Sequence, residues 1–268
     1  MLFVMSCRKK DSSRHEPCHI LITGASSGIG AALARIYARP DVSMSLQGRD
    51  KERLNSVAEN ARRRGAKVYT AILDVTDAAR MSKWIQACDG RKPLDLVIAN
   101  AGISAGTGGG GESREQARAI FNVNVNGVLN TIHPALRRME ARKSGQIAIM
   151  SSLAGFLGFP GAPAYCASKA AVRVYGEALR ECFAPKGVKI NVICPGFVKT
   201  PMTEINRFPM PFLISAERAA RIIKKGLAED RARIVFPWRM YALVRAFGAL
   251  PSAFTGFAAG RLPVKEGF

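Results

Sequence analysis

The stretch TGASSGIG, residues 23–30, joins a short apolar segment, HILIT (19–23), to an amphipathic segment, IGAALARIYA (29–38). Gly24 can adopt the tight turn between them, Gly28 lets the backbone approach a phosphate, and Gly30 lets the following helix pack closely. The free N–H groups and the positive dipole at the start of that helix attract an anion. Because the spacing differs from G-x-G-x-x-G, the stretch alone is a weak indication of nucleotide binding.

Two other functional motifs overlap this turn, and the rest of the chain argues against both. Residues 24–28 fit the G-x-S-x-G nucleophile elbow of hydrolases, which also lies between a strand and a helix. Such hydrolases need a histidine late in the chain, whereas the histidines here are His15, His19 and His133. A Walker-type phosphate loop needs a lysine directly after its last glycine, and Ala31 follows Gly30.

Short apolar segments alternate with helical segments along the chain. The predicted strands are HILIT (19–23), VSMSLQ (42–47), KVYTAIL (67–73), LDLVIA (94–99), GQIAIM (145–150), VKINVIC (188–194) and ARIVF (232–236). Predicted helices cover 29–38, 50–64, 78–88, 114–142, 164–183 and 215–229. Strands that alternate with helices pair in parallel, and right-handed crossovers place the helices on both faces. The pattern predicts a single-domain α/β fold with a doubly wound, Rossmann-type sheet of seven parallel strands.

The composition is that of a globular protein that can bury a large core. The 268 residues are 48% hydrophobic and 7% aromatic. No apolar run approaches the length that spans a bilayer, and the basic residues follow the apolar start of the chain, which is the wrong order for a secretory signal. Six cysteines without a CxxC pair or a partnering histidine predict reduced thiols and no metal site.

The formal net charge of +20 would attract an anionic cofactor, acidic lipid or nucleic acid. The basic residues are spread along the chain, as at 62–64, 137–138 and 224–225, and they form no ladder interleaved with aromatic residues. This pattern is typical of solvated helix faces and argues against a nucleic-acid partner.

The residues after the second predicted strand indicate which dinucleotide the first turn would bind. An NAD site places a carboxylate there to hold the ribose 2′-hydroxyl. This chain has Gln47, Gly48 and Arg49 instead, and a guanidinium can pair with a 2′-phosphate. NADP(H) is therefore favoured over NAD(H), unless Arg49 only faces water, and Asp50 is expected to cap the next helix.

Seven short motifs follow one another along most of the chain. They are TGASSGIG (23–30), LDVTD (73–77), ANAG (99–102), NVNG (124–127), MSSLAG (150–155), YCASK (165–169) and PGFVKT (195–200). Together, over about 18–236, they resemble the short-chain dehydrogenase/reductase family. Ala99 departs from the usual NNAG motif but leaves Asn100 in place. The resemblance implies a nicotinamide cofactor, hydride transfer between a carbonyl and an alcohol, and a homodimer or homotetramer.

The resemblance also implies four catalytic residues. Tyr165 and Lys169 share a helix face, where the ammonium can reach the cofactor ribose and lower the pKa of the phenol. Tyr165 would give a proton to the developing alkoxide in reduction and take one in oxidation. Ser152 would hydrogen-bond the substrate oxygen, and it is preferred to the neighbouring Ser151 because its spacing to Tyr165 matches the family. Asn124 would position a water and Lys169 in a proton relay.

The residues that would contact the cofactor come from the same resemblance, except for Arg49 and the glycines of the first turn. They are Gly24, Ser26, Ser27, Gly28, Ile29, Gly30, Arg49, Asp74, Val75, Asn100, Ala101, Gly102, Tyr165, Lys169, Pro195, Gly196, Val198 and Thr200. Asn100 would line the adenine–ribose side, and a structural role between strands is compatible with that position.

These inferences divide the chain into a flexible leader (1–17), a dinucleotide-binding and catalytic domain (18–236) and a C-terminal extension (237–268). The segment 202–214 is rich in Pro, Met and Phe and long for a βα loop, so it is expected to cover a substrate site. Its apolar residues predict a lipophilic substrate. The extension mixes apolar and basic residues, and it could complete the substrate pocket, form a subunit interface or lie on an anionic membrane.

The predicted function is an NADP(H)-dependent oxidoreductase that interconverts a carbonyl and a secondary alcohol. A cytoplasmic protein is expected, with a peripheral position at the inner face of the membrane left open. One alternative is a non-catalytic dinucleotide-binding regulator or scaffold of the same fold, against which the complete catalytic set argues. Another is a basic protein that binds membranes or nucleic acid, which a steep salt dependence of polyanion binding would favour.

Overall fold

The computed structural model describes residues 16–105, 112–206 and 208–250. The strands are β1 (His19–Ile22), β2 (Ser43–Gly48), β3 (Lys67–Ile72), β4 (Leu96–Ala99), β5 (Gly145–Met150), β6 (Val188–Pro195), β7 (Val198–Lys199), β8 (Ile214–Ser215) and β9 (Arg233–Phe236). Seven of them form one parallel sheet in the order β3-β2-β1-β4-β5-β6-β9. The predicted doubly wound sheet is thus confirmed.

Helices cover both faces of this sheet. They are α1 (Gly28–Tyr37), α2 (Lys51–Arg63), α3 (Ala78–Arg91), α4 (Arg114–Phe121), α5 (Gly127–Ala141), α6 (Pro163–Phe183), α7 (Pro201–Glu204), α8 (Ala216–Ala228) and α9 (Trp238–Gly248). Asp50 accepts a hydrogen bond from Arg53 N at 2.9 Å, so the predicted cap of α2 is confirmed.

Alternate residues of the central strands supply two separate cores. Ile20 and Ile22 of β1 lie in a core with Leu33 of α1, whereas Leu21 lies in a second core with Met81 of α3 and Ile132 of α5. Successive side chains of a strand point to opposite faces, and both faces here are covered. This is why the strands are apolar throughout.

The predicted helix over 114–142 is interrupted in the structure. α4 ends at Phe121, a π-helical turn covers Asn122–Asn126, and α5 begins at Gly127. The N–H of Gly127 donates to the carbonyl of Asn122, five residues earlier. Such wider turns are frequent at functional sites, and this one carries Asn124.

The strand order reverses between β1 and β4, which are neighbours although β2 and β3 separate them in sequence. Helices that follow strands on either side of this point leave in opposite directions, which opens a crevice at the carboxyl ends of the strands. The first turn follows β1 and Asn100 follows β4, so the topology brings both motifs to this crevice.

The two ends of the chain are described in part. Most of the predicted leader, 1–15, lies outside the described residues, as do 106–111 and 251–268. Glu16 forms ion pairs with Arg39 at 3.0 Å and Lys224 at 3.2 Å. In the extension, α9 packs beside β9 and the short 3-10 helix Leu153–Phe156. Within the described ranges, no helix has both the length and the apolar character to cross a membrane.

Candidate active site

A cleft of about 340 Å³ lies at the carboxyl ends of the strands, at the crevice. Seventeen of the eighteen residues predicted to hold the cofactor line this cleft, and so does Ser152. The cleft is lined by Gly24, Ser26, Ser27, Gly28, Ile29, Arg49, Asp74, Val75, Asn100, Ala101, Gly102, Ser152, Tyr165, Lys169, Pro195, Gly196, Val198 and Thr200. Long-range folding therefore brings most of the separate motifs to one surface.

The first turn is held by contacts with the end of β4. Gly24 has a φ of +63°, and a Cβ there would lie 2.8 Å from Ala101 Cα. Thr23 Oγ1 accepts hydrogen bonds from the N–H groups of Asn100 and Ala101 at 3.1 and 3.2 Å. Asn100 Nδ2 donates to the carbonyls of Thr23 and Gly24, so this side chain bridges the two loops while the residue also lines the cleft.

Gln47 is a residue of the turn that the sequence analysis did not assign. It is buried, its Oε1 accepts from Gly24 N at 3.0 Å, and its Nε2 donates to Leu73 O at 2.6 Å. The side chain thereby ties the first turn to the loop after β3. A long polar residue at the buried end of β2 was the only sequence signal for this role.

The mouth of the cleft beside β2 carries two arginines and two carboxylates. Arg49 Nη1 lies 3.7 Å from Asp74 Oδ2. Arg53, which the sequence analysis missed, donates from Nε to Asp50 Oδ2 at 2.5 Å. Both oxygens of Asp50 are therefore engaged by the start of its own helix. Burial opposes ionisation of Asp74, but hydrogen bonds from Thr76 outweigh it and lower the pKa of the Asp74 carboxyl.

Tyr165 and Lys169 lie on one face of α6 where it borders the cleft. Lys169 Nζ is 5.8 Å from the centre of the Tyr165 ring and donates to Met150 O at 3.0 Å. Burial lowers the pKa of Lys169 to about 8. Burial also raises the pKa of Tyr165, and a hydrogen bond with Ser152 offsets this only in part. In the protein alone, the pKa of the phenol thus moves in the direction opposite to that expected from the sequence.

The structure separates Ser151 from Ser152. Ser151 is buried, and its Oγ donates to the Lys169 carbonyl at 2.7 Å. Ser152 begins the 3-10 helix Leu153–Phe156, where its Oγ accepts from Ala154 N at 3.1 Å and lies 3.4 Å from Pro195 O. Ser151 therefore braces the backbone of α6, whereas the Ser152 hydroxyl is shared with the Tyr165 phenol.

Asn124 does not line the cleft but lies directly behind it. Its Oδ1 accepts from Ile103 N at 2.8 Å, and its Nδ2 donates to Ile103 O and Ser168 Oγ at 2.9 and 3.0 Å. A Cβ on Gly102 would lie 3.1 Å from Asn124 Oδ1 and 3.2 Å from Lys169 Nζ. The amide of Asn124 thus fixes the loop after β4 to α6, close to the ammonium.

Gly30 is the second predicted residue that lies away from the cleft. A Cβ at this position would lie 2.2 Å from Gly24 O and 2.7 Å from Asn100 Nδ2. Gly30 therefore serves the close packing beneath the first turn, and its contact with a cofactor stays a prediction. Lining residues that the sequence analysis did not assign are Gln47, Gly48, Asp50, Arg53, Ile103, Val123, Met150, Ser151, Pro201, Met202 and Thr203.

A second cavity, of about 320 Å³, adjoins the cleft at Ser152, Tyr165 and Gly196. Most of its wall is apolar. The apolar lining residues are Leu153, Ala154, Phe159, Ala162, Cys166, Phe197, Met202, Phe208, Pro209, Pro211, Met240 and Val244. The loop 202–214 and the C-terminal helix α9 therefore both contribute to this apolar pocket, although Phe212 and Leu213 of the loop are exposed.

The cleft fits a dinucleotide in its chemistry. The first turn leaves no room for a Cβ at Gly24, α1 points its N-terminus into the cleft, and arginines stand at the mouth beside β2. Within residues 16–105, 112–206 and 208–250, no cluster of three or more His, Cys, Asp or Glu could hold a metal ion. The fold and this cleft define the class of nicotinamide-dependent oxidoreductases with a Tyr-x-x-x-Lys pair.

Comparison with known proteins agrees with this class. The family model described as short chain dehydrogenase matches residues 18–208. An uncharacterized oxidoreductase of Myxococcus xanthus is 39% identical over 243 residues, which are 90% of this chain and 96% of that protein. The 3-oxoacyl-[acyl-carrier-protein] reductase FabG of Thermotoga maritima is 31% identical over 228 residues, or 80% of this chain and 92% of that protein.

Solved structures show the same fold. A short chain dehydrogenase/reductase from Burkholderia phymatum in complex with NAD has a TM-score of 0.79 at 25% identity and covers 92% of this chain and 96% of that one. A short-chain dehydrogenase from Sphingobium yanoikuyae in complex with NADPH has a TM-score of 0.77 at 24% identity, with coverage of 91% and 96%.

The chain belongs to the short-chain dehydrogenase/reductase family. It is an oxidoreductase that acts on CH–OH or C=O groups with a nicotinamide dinucleotide.

Proposed function

We propose that this oxidoreductase interconverts a lipophilic ketone or aldehyde and the corresponding alcohol with NADP(H), using Tyr165 as the acid/base. The observation that carries the proposal is that Ser152 and Tyr165 line both cavities. A substrate oxygen at their hydroxyls has the dinucleotide cleft on one side and the apolar pocket on the other. A bound nicotinamide supplies or accepts the hydride.

The protein residues divide the remaining work. Ser152 orients the substrate oxygen, and Tyr165 donates a proton to it as the carbonyl is reduced. The raised pKa of Tyr165 keeps the phenol protonated at neutral pH, which is the form that reduction requires. Lys169, with a pKa of about 8, carries a positive charge near the cleft at neutral pH. Asn124 positions the neighbouring loop and helix.

Replacing Tyr165 tests the enzymatic assignment. Tyr165→Phe should lower turnover at least 10³-fold and leave NADPH binding intact, because it removes only the transferable proton. Tyr175→Phe is the matched control: Tyr175 lies on the same helix, and its hydroxyl bonds His133 Nε2 at 2.7 Å. Near-normal turnover in Tyr165→Phe would refute the assigned acid. Tight NADPH binding with no turnover of any carbonyl by the wild type would favour a non-catalytic regulator instead.

The preference for NADP(H) rests on the charges at the mouth beside β2. Arg49 is exposed and loosely paired with Asp74, and Arg53 lines the same cleft. Arg53 also engages both oxygens of Asp50. The 2′-phosphate of NADP(H) can replace Asp74 as the partner of Arg49, because the Arg49–Asp74 contact is weak. The 2′-hydroxyl of NAD(H) would need a carboxylate to accept its hydrogen bond, but both oxygens of Asp50 are already engaged by Arg53.

Arg49→Ala should weaken NADPH binding by about 10- to 100-fold and change NADH binding little, since a charge-assisted contact contributes about 1.5–3 kcal/mol. Arg80→Ala is the matched control, because Arg80 is as exposed as Arg49, is also loosely paired with an aspartate, and does not line the cleft. Titration of each variant with NADPH and with NADH, followed by protein fluorescence, measures the two dissociation constants. Equal losses for the two cofactors would refute the role of Arg49 in 2′-phosphate binding.

We further propose a cytoplasmic homodimer or homotetramer, with the C-terminal extension as a site of peripheral contact with the inner face of an anionic membrane. The oligomer is the assembly that the family resemblance implies, and light scattering after size exclusion measures its mass. The membrane contact is supported by the exposed apolar and basic residues of α9.

A further inference from the structure

Among the described residues that line the apolar pocket, Asn206 alone has a side-chain amide. Its neighbours along the loop 202–214 that line the same pocket are apolar, as at Phe208 and Pro209. Ser152 and Tyr165 line both cavities, whereas Asn206 lines the apolar pocket and not the dinucleotide cleft. The amide therefore belongs to the part of the pocket that does not adjoin the cleft.

The amide of Asn206 is poorly hydrogen-bonded. Its Oδ1 is buried without a partner, and its Nδ2 donates to the sulfur of Met210 at 3.5 Å. A thioether is a weak acceptor. In the part of the chain that the structure describes, two other side-chain oxygens are buried without a partner, at Asn60 and Glu112, and neither residue lines the pocket. A buried amide with such weak bonding is unfavourable, and a folded protein that keeps one requires an explanation.

Thr203, three residues before Asn206, shows the contrast. Its Oγ1 donates to Val198 O at 2.7 Å and accepts from Thr200 N at 3.0 Å, so this hydroxyl stabilises the start of α7. The amide of Asn206 hydrogen-bonds no backbone group of the described residues. The hydroxyl of Thr203 is thus used by the fold, whereas the amide of Asn206 is left for another partner.

The backbone holds Asn206 in place at the pocket wall. Asn206 N donates to Thr203 O at 3.1 Å, so the chain continues the turn of α7 as far as this residue. Two residues later, the Phe208 ring meets the Phe197 ring edge-on at 6.0 Å. The outer torsion of an asparagine side chain is broad, so the amide can turn either its oxygen or its nitrogen toward the cavity.

We propose that Asn206 is a specificity-determining residue whose amide binds a second polar group of the substrate, a hydroxyl at the end remote from the reacting carbonyl. A hydroxyl suits both halves of the amide, since it can donate to Oδ1 and accept from Nδ2. The preferred substrate is then a lipophilic ketone or aldehyde with a distal hydroxyl. This inference rests on the proposed function, and it narrows the substrate class that the apolar wall alone would admit.

The amide selects its substrate by remaining unpaired when the wrong one is bound. A site that hydrogen-bonds a hydroxyl discriminates against an analogue without it, because the buried polar group of the protein then has no partner. The hydroxyl is remote from the reacting carbonyl, so its bond to Asn206 forms equally in the ground state and in the transition state. Such uniform binding changes KM and leaves kcat nearly unaltered.

Matched pairs of ketones test this role by steady-state NADPH consumption. Each pair is an ω-hydroxy methyl ketone and the methyl ketone with the same number of heavy atoms, in a series from hexanone to dodecanone length. The wild type should prefer the hydroxy ketone at the chain length that brings the hydroxyl to Asn206. Asn206→Leu keeps the branching of the side chain and removes its polar atoms. It should raise KM for that hydroxy ketone about 10- to 100-fold, with kcat and the methyl ketone little affected.

Asn60→Leu is the matched control. Asn60 Oδ1 is also buried without a partner, but Asn60 lies on α2 and lines neither cavity. Both variants should unfold at or above the midpoint temperature of the wild type, because each substitution removes a buried oxygen that has no hydrogen bond. The preference for the hydroxy ketone should be lost in Asn206→Leu and kept in Asn60→Leu.

Three results would overturn the role of Asn206. They are no preference for a hydroxy ketone at any chain length, equal losses for both members of a pair in Asn206→Leu, and an unfolding midpoint lowered in Asn206→Leu but not in Asn60→Leu. The last would show that the amide serves the fold.

A wild type that reduces no carbonyl would refute the proposed function, and binding would then decide the role of Asn206. Calorimetric titration of the NADPH-bound protein with the same pairs of ketones measures it. Tighter binding of a hydroxy ketone that is lost in Asn206→Leu would support the role, and equal binding of both members of every pair would refute it.

Discussion

The adjacent serines after β5 give the sharpest test of the site, because the structure assigns them different contacts. Ser151 Oγ donates to the Lys169 carbonyl, and Ser152 Oγ caps a 3-10 helix and meets the Tyr165 phenol. Ser151→Ala removes one buried hydrogen bond, which costs about 1 kcal/mol of unfolding free energy. Ser152→Ala removes a cap, which also costs about 1 kcal/mol. The two variants are therefore matched in stability.

The two variants should differ in their turnover number, kcat. Removing a hydroxyl that stabilises the developing charge on a substrate oxygen costs on the order of 10²–10³ in kcat. We expect that loss in Ser152→Ala and at most a few-fold change in Ser151→Ala. Steady-state NADPH consumption gives kcat, and thermal unfolding should show both midpoints lowered by roughly 2–4 °C. A loss of kcat in Ser151→Ala as large as that in Ser152→Ala would refute the division of roles.

Three further predictions concern packing and pH. Gly30→Ala should lower stability by about 1–3 kcal/mol and weaken NADPH binding, because its Cβ meets Gly24 O at 2.2 Å. Gly90→Ala, with nothing within 4 Å, should be neutral or stabilising in the same thermal unfolding experiment, and equal effects would contradict this account. Asp89→Ala should cost about 3 kcal/mol in urea unfolding without changing cofactor affinity, because the buried carboxylate pairs with Arg142 at 2.8 Å and Arg138 at 3.5 Å. His19 donates from Nδ1 to Lys92 O and accepts from Ser45 at Nε2, and burial lowers its pKa below 6.5. Its neutral form is therefore favoured by folding, so the contribution to stability is complete above about pH 6.5 and is lost as the pH falls through the lowered pKa. Unfolding midpoints of the wild type should fall more between neutral and acid pH than those of His19→Gln, and parallel curves would rule out this linkage.

The local sequence pattern was sufficient to predict the strands and helices of the sheet and to identify most of the residues that line the cleft. Apolar strands between helical segments indicated the parallel sheet, because a strand buried on both faces must be apolar throughout. The glycine-rich turn after β1 and the four-residue spacing of Tyr165 and Lys169 likewise depend on neighbours in sequence. The predicted strands differ from the observed ones by only a residue or two at each end.

The features that the sequence did not predict depend on contacts between segments that are distant in the chain. Helical periodicity over 114–142 could not reveal the π-helical turn at Asn122–Asn126, because the wider turn depends on where Asn124 bonds Ile103 and Ser168. The sequence predicted that Gly30 allows close packing of the helix, but only the folded chain shows that its neighbours are Gly24 O and the side chain of Asn100.

The sequence by itself determined the sheet, the motifs and their order, since each of these follows from residues a few positions apart. Only the tertiary structure decided that Gln47 braces the first turn, that Arg53 lines the cleft together with Arg49, and that α9 forms part of the wall of the apolar pocket. The physical reason is that burial and the direction of a side chain depend on elements that are remote in sequence, which no local pattern records.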